Sequence, residues 1–189
     1  MRKLKCISKE YQIWEVNKFW TKDICDFVVK KFETQYNTNR FHNEEKIDYD
    51  DALIKNIAER NSKRLNLEST ELSDLIWNNL DFSVLKLDGH SAIGINKSFR
   101  LYKYFIDDEF IEHIDMSTTI SDNVRTFYSI LIYLNDTFTG GNTKFNDFEI
   151  KPTLGNLVTF PHNQLHSGEK IISGMKYILR GDVIFKKNH

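Results

Sequence analysis

The sequence has 189 residues, which is the length of one domain and long enough to bury a core of its own. Hydrophobic residues make up 40% and charged residues 28%, with only two cysteines, and these values exclude disordered, collagen-like and disulfide-scaffold classes. The net charge of −1 argues against a non-specific nucleic-acid binder or a membrane-surface protein.

The first residues bear on location. The N-terminus is basic, but the polar run Ser8-Lys9-Glu10 interrupts any apolar region of a signal peptide. Cys6 and Cys25 have neither metal-type spacing nor enough partners for a disulfide framework, so we expect free thiols. We therefore expect a cytoplasmic protein, or one in the host cytoplasm if its source is viral.

The first part of the chain is predicted to be helical. Apolar residues recur every three or four positions in 21–34 and in 70–80, and Thr21 and Thr70 stand at the helix starts as candidate N-caps. The polar segment 37–51 between them is typical of a loop. We expect one domain over 1–189, in which residues 1–81 are a helical support.

Strand signals dominate residues 82–189. Short runs of β-branched and aromatic residues alternate with Asp-Gly, Asn-Asp, Gly-Gly and Pro turn signals. Many short strands in one domain favour two packed sheets, because a jelly roll or barrel protects strand edges. The pattern predicts a mainly β fold with N-terminal helices (α+β), and strands at 84–87, 99–104, 110–113, 127–133, 142–145, 148–151, 156–160 and 177–185.

Two histidines and one aspartate form a candidate metal site. His113 and Asp115 are two positions apart, so an extended backbone turns both side chains to one face. His166, after the predicted strand 156–160 and its Pro161 turn, can supply a third ligand. Two histidines and one carboxylate on one side of a metal form the facial triad of non-haem Fe(II) oxygenases.

Other interpretations exist for these residues. A His-x-Asp pair occurs by chance on exposed surfaces, where it has no function. His162 and His166 are spaced as a zinc pair on a helix would be, but the segment before them indicates strand and turn, and no Glu follows His162 directly.

Five ordered blocks around these residues resemble the 2-oxoglutarate- and Fe(II)-dependent dioxygenases of the prolyl 4-hydroxylase type. The first block runs from Arg100 to the His-x-Asp pair, and the second is the strand Tyr128-Ser-Ile-Leu-Ile-Tyr-Leu-Asn-Asp136. The turn Gly140-Gly-Asn-Thr-Lys-Phe145 is similar to the family's Gly-Gly-Glu-Thr-x-Phe, with Asn142 in place of Glu. The last two blocks are Gly155-Asn-Leu-Val-Thr-Phe160 and His166-Ser-Gly followed by Gly174-Met-Lys-Tyr177.

The resemblance implies a double-stranded β-helix of the jelly-roll, cupin-like type and a hydroxylase that uses Fe(II), 2-oxoglutarate and O2. Ascorbate is an additional candidate reductant. His113, Asp115 and His166 would then be both the catalytic residues and the Fe(II) ligands.

The resemblance also assigns a pocket for the co-substrate. Lys176, ten residues after His166, is the preferred anchor for the far carboxylate of 2-oxoglutarate, and Arg180 on the same strand face is the alternative. Tyr104 would place its hydroxyl near the co-substrate, and Ser129 would lie beside it. Arg100 is one of several polar candidates for a substrate entrance.

The substrate is the least constrained part of the prediction. The blocks favour a prolyl residue of a peptide or protein, with a free amino acid or another small molecule as the alternative. A nucleic-acid substrate and a membrane partner are not expected, and a non-catalytic jelly-roll binding module is the competing class. Either a monomer or a homodimer is consistent with the sequence.

Overall fold

The computed structural model describes residues 1–38 and 63–188. A nine-stranded sheet and a four-stranded sheet form most of the fold. The two helices are α1 (Lys22–Thr38) and α2 (Thr70–Asn79), and a 3-10 helix spans Phe82–Val84. The strands before the His-x-Asp pair are β1 (Arg2–Lys3), β2 (Lys5–Ser8), β3 (Ile13–Val16), β4 (Lys63–Glu68), β5 (Leu80–Asp81), β6 (His90–Ile95) and β7 (Ser98–Tyr104). The later strands are β8 (Phe110–His113), β9 (Thr119–Ser121), β10 (Val124–Tyr133), β11 (Phe138–Gly140), β12 (Thr143–Phe145), β13 (Phe148–Ile150), β14 (Leu157–Pro161), β15 (His166–Gly168), β16 (Ile171–Gly174) and β17 (Lys176–Lys187).

The large sheet has the strand order β2-β3-β14-β10-β17-β7-β4, with β6 also paired to β17 and β9 to β10. The small sheet has the order β13-β12-β15-β8. The long central strands β10 and β17 are antiparallel partners, and their pairing carries one irregularity between Thr126 and Tyr128. This arrangement confirms the predicted mainly β jelly-roll class.

The large sheet is buried on both faces, which explains the nearly continuous apolar run of β10. Tyr128, Ile130 and Ile132 belong to the core on the helical side, whereas Leu131 and Tyr133 belong to the core between the sheets. A strand covered on both faces does not show hydrophobic and polar alternation. The inner face of this sheet therefore becomes the floor of the candidate site.

Helix α1 packs on the outer face of the large sheet. Phe32 makes an edge-on ring contact with Tyr177, at 6.1 Å between centroids, and the Glu33 carboxylate lies 2.8 Å from both Lys103 Nζ and Tyr177 Oη. Neither helix within the described residues is long and apolar enough to cross a membrane.

Several local predictions need correction. Residues 84–87 are not a strand: Val84 ends the 3-10 helix, and Leu87 forms only an isolated bridge with His90. The N-cap of α2 is Ser69, whose Oγ accepts a hydrogen bond from Leu72 N at 3.1 Å, because Thr70 is already inside the helix. The predicted loop 37–51 is wrong at its start, because α1 continues to Thr38, and from position 39 onward it lies outside the described residues.

The N-terminal 81 residues contribute more than a helical support. Strands β2, β3 and β4 extend the large sheet at its two ends, and β1 pairs in parallel with β5. Strands β2 and β3 have four residues each, too few to show a clear period, so the sequence pattern did not reveal them. The division at residue 81 remains a prediction.

Candidate metal centre and co-substrate pocket

The structure brings together the three residues predicted as metal ligands. His113 ends β8, His166 begins β15, and the two residues are directly opposite each other in the small sheet. Asp115 follows β8 by two residues, and its backbone N donates a hydrogen bond to His162 O at 2.8 Å. One potential ligand atom from each of His113, Asp115 and His166 lies within 4.8 Å of the others.

Both histidines present the same ring nitrogen to this cluster. His113 Nδ1 lies 2.8 Å from Ile111 O, and His166 Nδ1 lies 2.8 Å from Gln164 O, so each Nδ1 carries the proton and donates. The Nε2 atoms then keep free lone pairs, 3.8 and 3.7 Å from the two carboxylate oxygens of Asp115. His113 Nε2 is buried without a hydrogen-bond partner, as a metal-binding nitrogen would be in the free protein.

The protonation states also suit a divalent cation. Burial, reinforced by His166, lowers the pKa of His113 to about 4, and burial likewise lowers the pKa of His166. Burial would raise the pKa of Asp115, but Arg180 and His166 outweigh it and lower that pKa to about 2. At neutral pH the cluster therefore consists of two neutral imidazoles and one carboxylate, a donor set that fits Fe(II).

Ser129 and Arg180 contact the carboxylate of Asp115. Ser129 Oγ donates a short hydrogen bond to Asp115 Oδ2, and Arg180 Nη2 lies 2.9 Å from Asp115 Oδ1. Both residues point from the inner face of the large sheet, Ser129 from β10 and Arg180 from β17. These contacts place both of them beside the triad, at the carboxylate that would bind the metal.

Lys176 is a buried cation with no buried anion beside it. It begins β17, is 3% exposed, and its Nζ donates a hydrogen bond to Gly141 O. Among the residues that the structure describes, no carboxylate lies within ion-pair distance of this Nζ. Three aromatic rings surround the ammonium group at 5.7 to 5.9 Å, those of Tyr104, Tyr133 and Phe138.

Burial lowers the pKa of Lys176 to about 7, because the ammonium ion has lost its water. The carboxylate of a ligand bound next to Nζ would pair with the positive charge of the ammonium group. The residues present therefore fit an anionic co-substrate such as 2-oxoglutarate. Arg180, the alternative anchor, already contacts Asp115 and Asp182 Oδ1, the latter at 3.2 Å.

Tyr104 lies where the predicted pocket requires it. It is directly opposite Lys176 in the pairing of β7 with β17, and it is 6% exposed. Tyr133, whose ring also faces Lys176, is fully buried, and its hydroxyl lies 2.8 Å from Thr143 Oγ1. The assignment of these residues to co-substrate binding remains a prediction.

Sequence reasoning missed Asp182. Its carboxylate is 1% exposed and lies 3.3 Å from Arg100 Nη1 and 3.3 Å from His162 Nε2. His162 thus faces Asp182 rather than forming a zinc pair with His166, and within the described part of the chain it is not in the metal-ligand cluster. Asp182 stands two residues after Arg180 on the same predicted strand, and this spacing could have indicated that both side chains share one face.

A groove of about 650 Å³ opens beside β8 and β15. It contains none of the triad residues and does not contain Lys176. Its lining is Glu109, Phe110, Ile111, Glu112, Gly140, Ser167, Gly168, Glu169, Lys170 and Ile172. The groove therefore lies along the strands that carry the histidines, outside the candidate metal centre.

Comparisons with known proteins agree with this geometry. Residues 99–181 match the family model described as the 2OG-Fe(II) oxygenase superfamily, and this range holds all three triad residues and Lys176. No curated protein sequence matches the chain.

Solved structures of prolyl hydroxylases share the fold. The viral collagen prolyl hydroxylase of Paramecium Bursaria Chlorella virus-1, in its 2OG complex, matches with a TM-score of 0.60 and 17% identity over 96% of this chain and 98% of that chain. A Pseudomonas putida prolyl-4-hydroxylase matches with a TM-score of 0.62 and 14% identity over 94% and 92%. A Trichoplax adhaerens prolyl hydroxylase in complex with a hypoxia inducible factor peptide fragment matches with a TM-score of 0.67 and 17% identity over 92% and 83%.

The family match covers the strands that carry the site, and the structural matches extend the same fold over nearly the whole chain. Residues 99–181 therefore match the 2OG-Fe(II) oxygenase superfamily, and nearly the whole chain has a prolyl 4-hydroxylase-like fold.

Proposed function

We propose that this 2-oxoglutarate-dependent dioxygenase hydroxylates a prolyl residue within a peptide or protein. In this proposal His113, Asp115 and His166 hold Fe(II), and Lys176 anchors the far carboxylate of 2-oxoglutarate. The observation that carries the proposal is the pairing of a metal-type donor set with an unmatched buried cation inside one small jelly roll.

The bound Fe(II) and 2-oxoglutarate would activate O2 and insert one oxygen atom into a substrate C–H bond, with succinate and CO2 as the other products. The chain's own residues bind and orient these groups. Hydrogen bonds to Ile111 O and Gln164 O fix the two imidazole rings, so both Nε2 atoms face the same point. Because the pKa of Asp115 is about 2, its carboxylate is already charged at neutral pH and does not have to lose a proton when a metal binds.

The interior of the jelly roll shelters the co-substrate from water. Lys176 is buried with three aromatic rings around its ammonium group, and one of them, Tyr104, lies across from it on the neighbouring strand. A carboxylate that reaches Lys176 Nζ would favour the charged ammonium, so co-substrate binding would raise the pKa of this lysine from about 7.

Exposed apolar side chains on the segments that carry the metal ligands favour a peptide. Exposed apolar side chains stand next to the buried ligands in sequence: Ile111 is 44% exposed, Ile114 is 47%, Met116 is 81% and Leu165 is 43%. Several exposed apolar side chains on the segments that carry the ligands are typical of an interaction surface. A proline-containing peptide would cover these side chains with an apolar ring, which a free polar amino acid would not do.

The solved structures with this fold support the same substrate class. One is named as a collagen prolyl hydroxylase, and another holds a peptide fragment of a hypoxia inducible factor. Both proteins are less than a fifth identical to this chain, so the peptide proline comes to this protein as a proposal.

The proposal is tested with the Fe(II)-loaded protein, 2-oxoglutarate and a panel of substrates. We expect proline-containing peptides to stimulate succinate release and to gain the mass of one oxygen atom, and we expect free proline and a methylated oligonucleotide to do neither. The matched control is Asp115→Asn, which keeps the side-chain shape and loses the ligand charge. Stimulation by free proline alone would replace the peptide with a small-molecule substrate, and no 2-oxoglutarate turnover with any substrate would favour a binding module.

A further inference from the structure

Asp182 is a buried carboxylate that the proposed function does not use. It lies on β17, two residues after Arg180, and is 1% exposed. Three nitrogen atoms converge on it: Arg180 Nη2 at 3.2 Å, His162 Nε2 at 3.3 Å and Arg100 Nη1 at 3.3 Å. So many partners around one buried carboxylate need an explanation beyond packing, because burying ions carries a large desolvation cost.

Two paths lead from Asp182 to Asp115. In the first, the single nitrogen Arg180 Nη2 lies 3.2 Å from Asp182 Oδ1 and 2.9 Å from Asp115 Oδ1. In the second, the His162 ring faces Asp182 while the backbone O of His162 accepts the hydrogen bond of Asp115 N at 2.8 Å. The side chain and the backbone of Asp115 are therefore both held by residues that converge on Asp182.

The charges suggest what Asp182 contributes. Of the two carboxylates that contact Arg180, only Asp115 would remain if Asp182 were absent. The guanidinium would then compete with a metal cation for the carboxylate of Asp115. With Asp182 present, Arg180 keeps an anionic partner while it holds one oxygen of Asp115 in place. Burial raises the pKa of Asp182, but His162 and Arg180 lower it more, so this carboxylate is charged at neutral pH.

We propose that Asp182 is a positioning residue, which acts through Arg180 to orient Asp115 and to leave its charge available for the metal. This inference rests on the proposed role of Asp115 as a metal ligand. Outer partners of metal ligands commonly change metal affinity by about 10- to 100-fold when they are removed.

The test measures Mn(II) binding to the full chain. Binding is monitored through the loss of the electron paramagnetic resonance signal of the free ion. We expect Asp182→Asn to weaken Mn(II) binding by about tenfold or more. The matched control is Glu33→Gln, which makes the same carboxylate-to-amide change at an ion pair with Lys103 on the outer face of the large sheet. We expect Glu33→Gln to bind Mn(II) as the wild type does, since its carboxylate contacts no residue of the site.

A double-mutant cycle shows whether the effect passes through Arg180. In an Arg180→Met background we expect Asp182→Asn to change Mn(II) affinity by less than about twofold, because the connecting guanidinium is gone. A full tenfold effect in that background would overturn the proposed role, because Asp182 would then act through His162 or through its charge alone and not through Arg180. Should Asp182→Asn fail to fold, Arg180→Lys keeps the buried charge but cannot span two carboxylates, and it should also lose about tenfold.

The outcomes separate the two proposals. If the wild type binds no Mn(II), the proposed function fails. If the wild type binds Mn(II) and both Asp182→Asn and Arg180→Lys bind equally well, only the role of Asp182 is overturned.

Discussion

Replacing Lys176 by methionine should make the co-substrate-free protein more stable and should also abolish co-substrate binding. Methionine has a similar length to lysine and suits the aromatic surroundings of this side chain. The physical reason is that burial lowers the pKa of Lys176 from 10.5 to about 7, so the folded protein disfavours the charged form. The unfolded chain has no such penalty.

The magnitude follows from this shift. Each pKa unit corresponds to about 1.36 kcal/mol, so the charged ammonium costs the folded state about 5 kcal/mol at low pH. Methionine also leaves Gly141 O without its hydrogen bond, which costs about 1–3 kcal/mol. At pH 6 we therefore expect Lys176→Met to raise the free energy of unfolding by about 2–4 kcal/mol.

The sign of the pH dependence is fixed by the direction of the shift. The penalty is complete below the folded-state pKa of about 7 and disappears as pH rises toward the unfolded value of 10.5. The stability advantage of Lys176→Met should therefore shrink by about 2 kcal/mol between pH 7 and pH 9.

Urea unfolding of the metal-free protein across this pH range measures the effect. Lys187→Met, at the exposed end of the same strand, is the control and should give a difference from wild type that does not change with pH. In a second measurement, with Mn(II) present throughout, adding N-oxalylglycine, an analogue of 2-oxoglutarate, should further raise the melting temperature of the wild type and not that of Lys176→Met. Parallel pH curves for wild type and Lys176→Met, or equal stabilisation by the analogue, would refute the reasoning.

Three further predictions concern other parts of the structure. Asp115→Ala should abolish Mn(II) binding in calorimetry while circular dichroism stays unchanged; wild-type affinity would remove Asp115 from the ligand set. Tyr104→Phe should raise the KM for 2-oxoglutarate about 3- to 10-fold, the effect of one lost hydrogen bond, and an unchanged KM would leave Tyr104 a core residue only. Gly155→Ala should cost more than about 2 kcal/mol in urea unfolding, because φ is +74° and the new Cβ would lie 2.0 Å from Trp20 O; Gly94→Ala, with open space around it, is the control and should be nearly neutral.

The site could be predicted largely because its residues stand on extended segments with a period of two. His113 and Asp115 share a face for this reason, and so do Lys176 and Arg180. Their grouping across strands could not be read from one sequence. It depends on which strands pair, and the pairing of β8 with β15 joins distant parts of the chain.

Arg180 also shows which part of the site could be predicted from the sequence and which part could not. Its position on the face of Lys176 was predictable, but its contacts with Asp115 and Asp182 depend on the approach of the small sheet to the large one. The edge strand β2 was missed because its four residues show no clear period, whereas the alternation of Leu65 and Leu67 with polar residues in β4 was a signal that could have found that strand. The segment 84–87 has strand-like residues, yet the chain turns there, since tertiary context overrides local β propensity.

The direct opposition of His113 and His166 has a consequence for how the protein reaches its active form. A shift of β8 by one residue against β15 would turn His113 to the outer face and separate the two imidazoles. Only one alignment of these strands can hold a metal with both rings, so metal binding would stabilise that alignment against its neighbours. The metal would therefore select the correctly paired small sheet, and a molecule with misaligned strands would be folded but unable to bind metal.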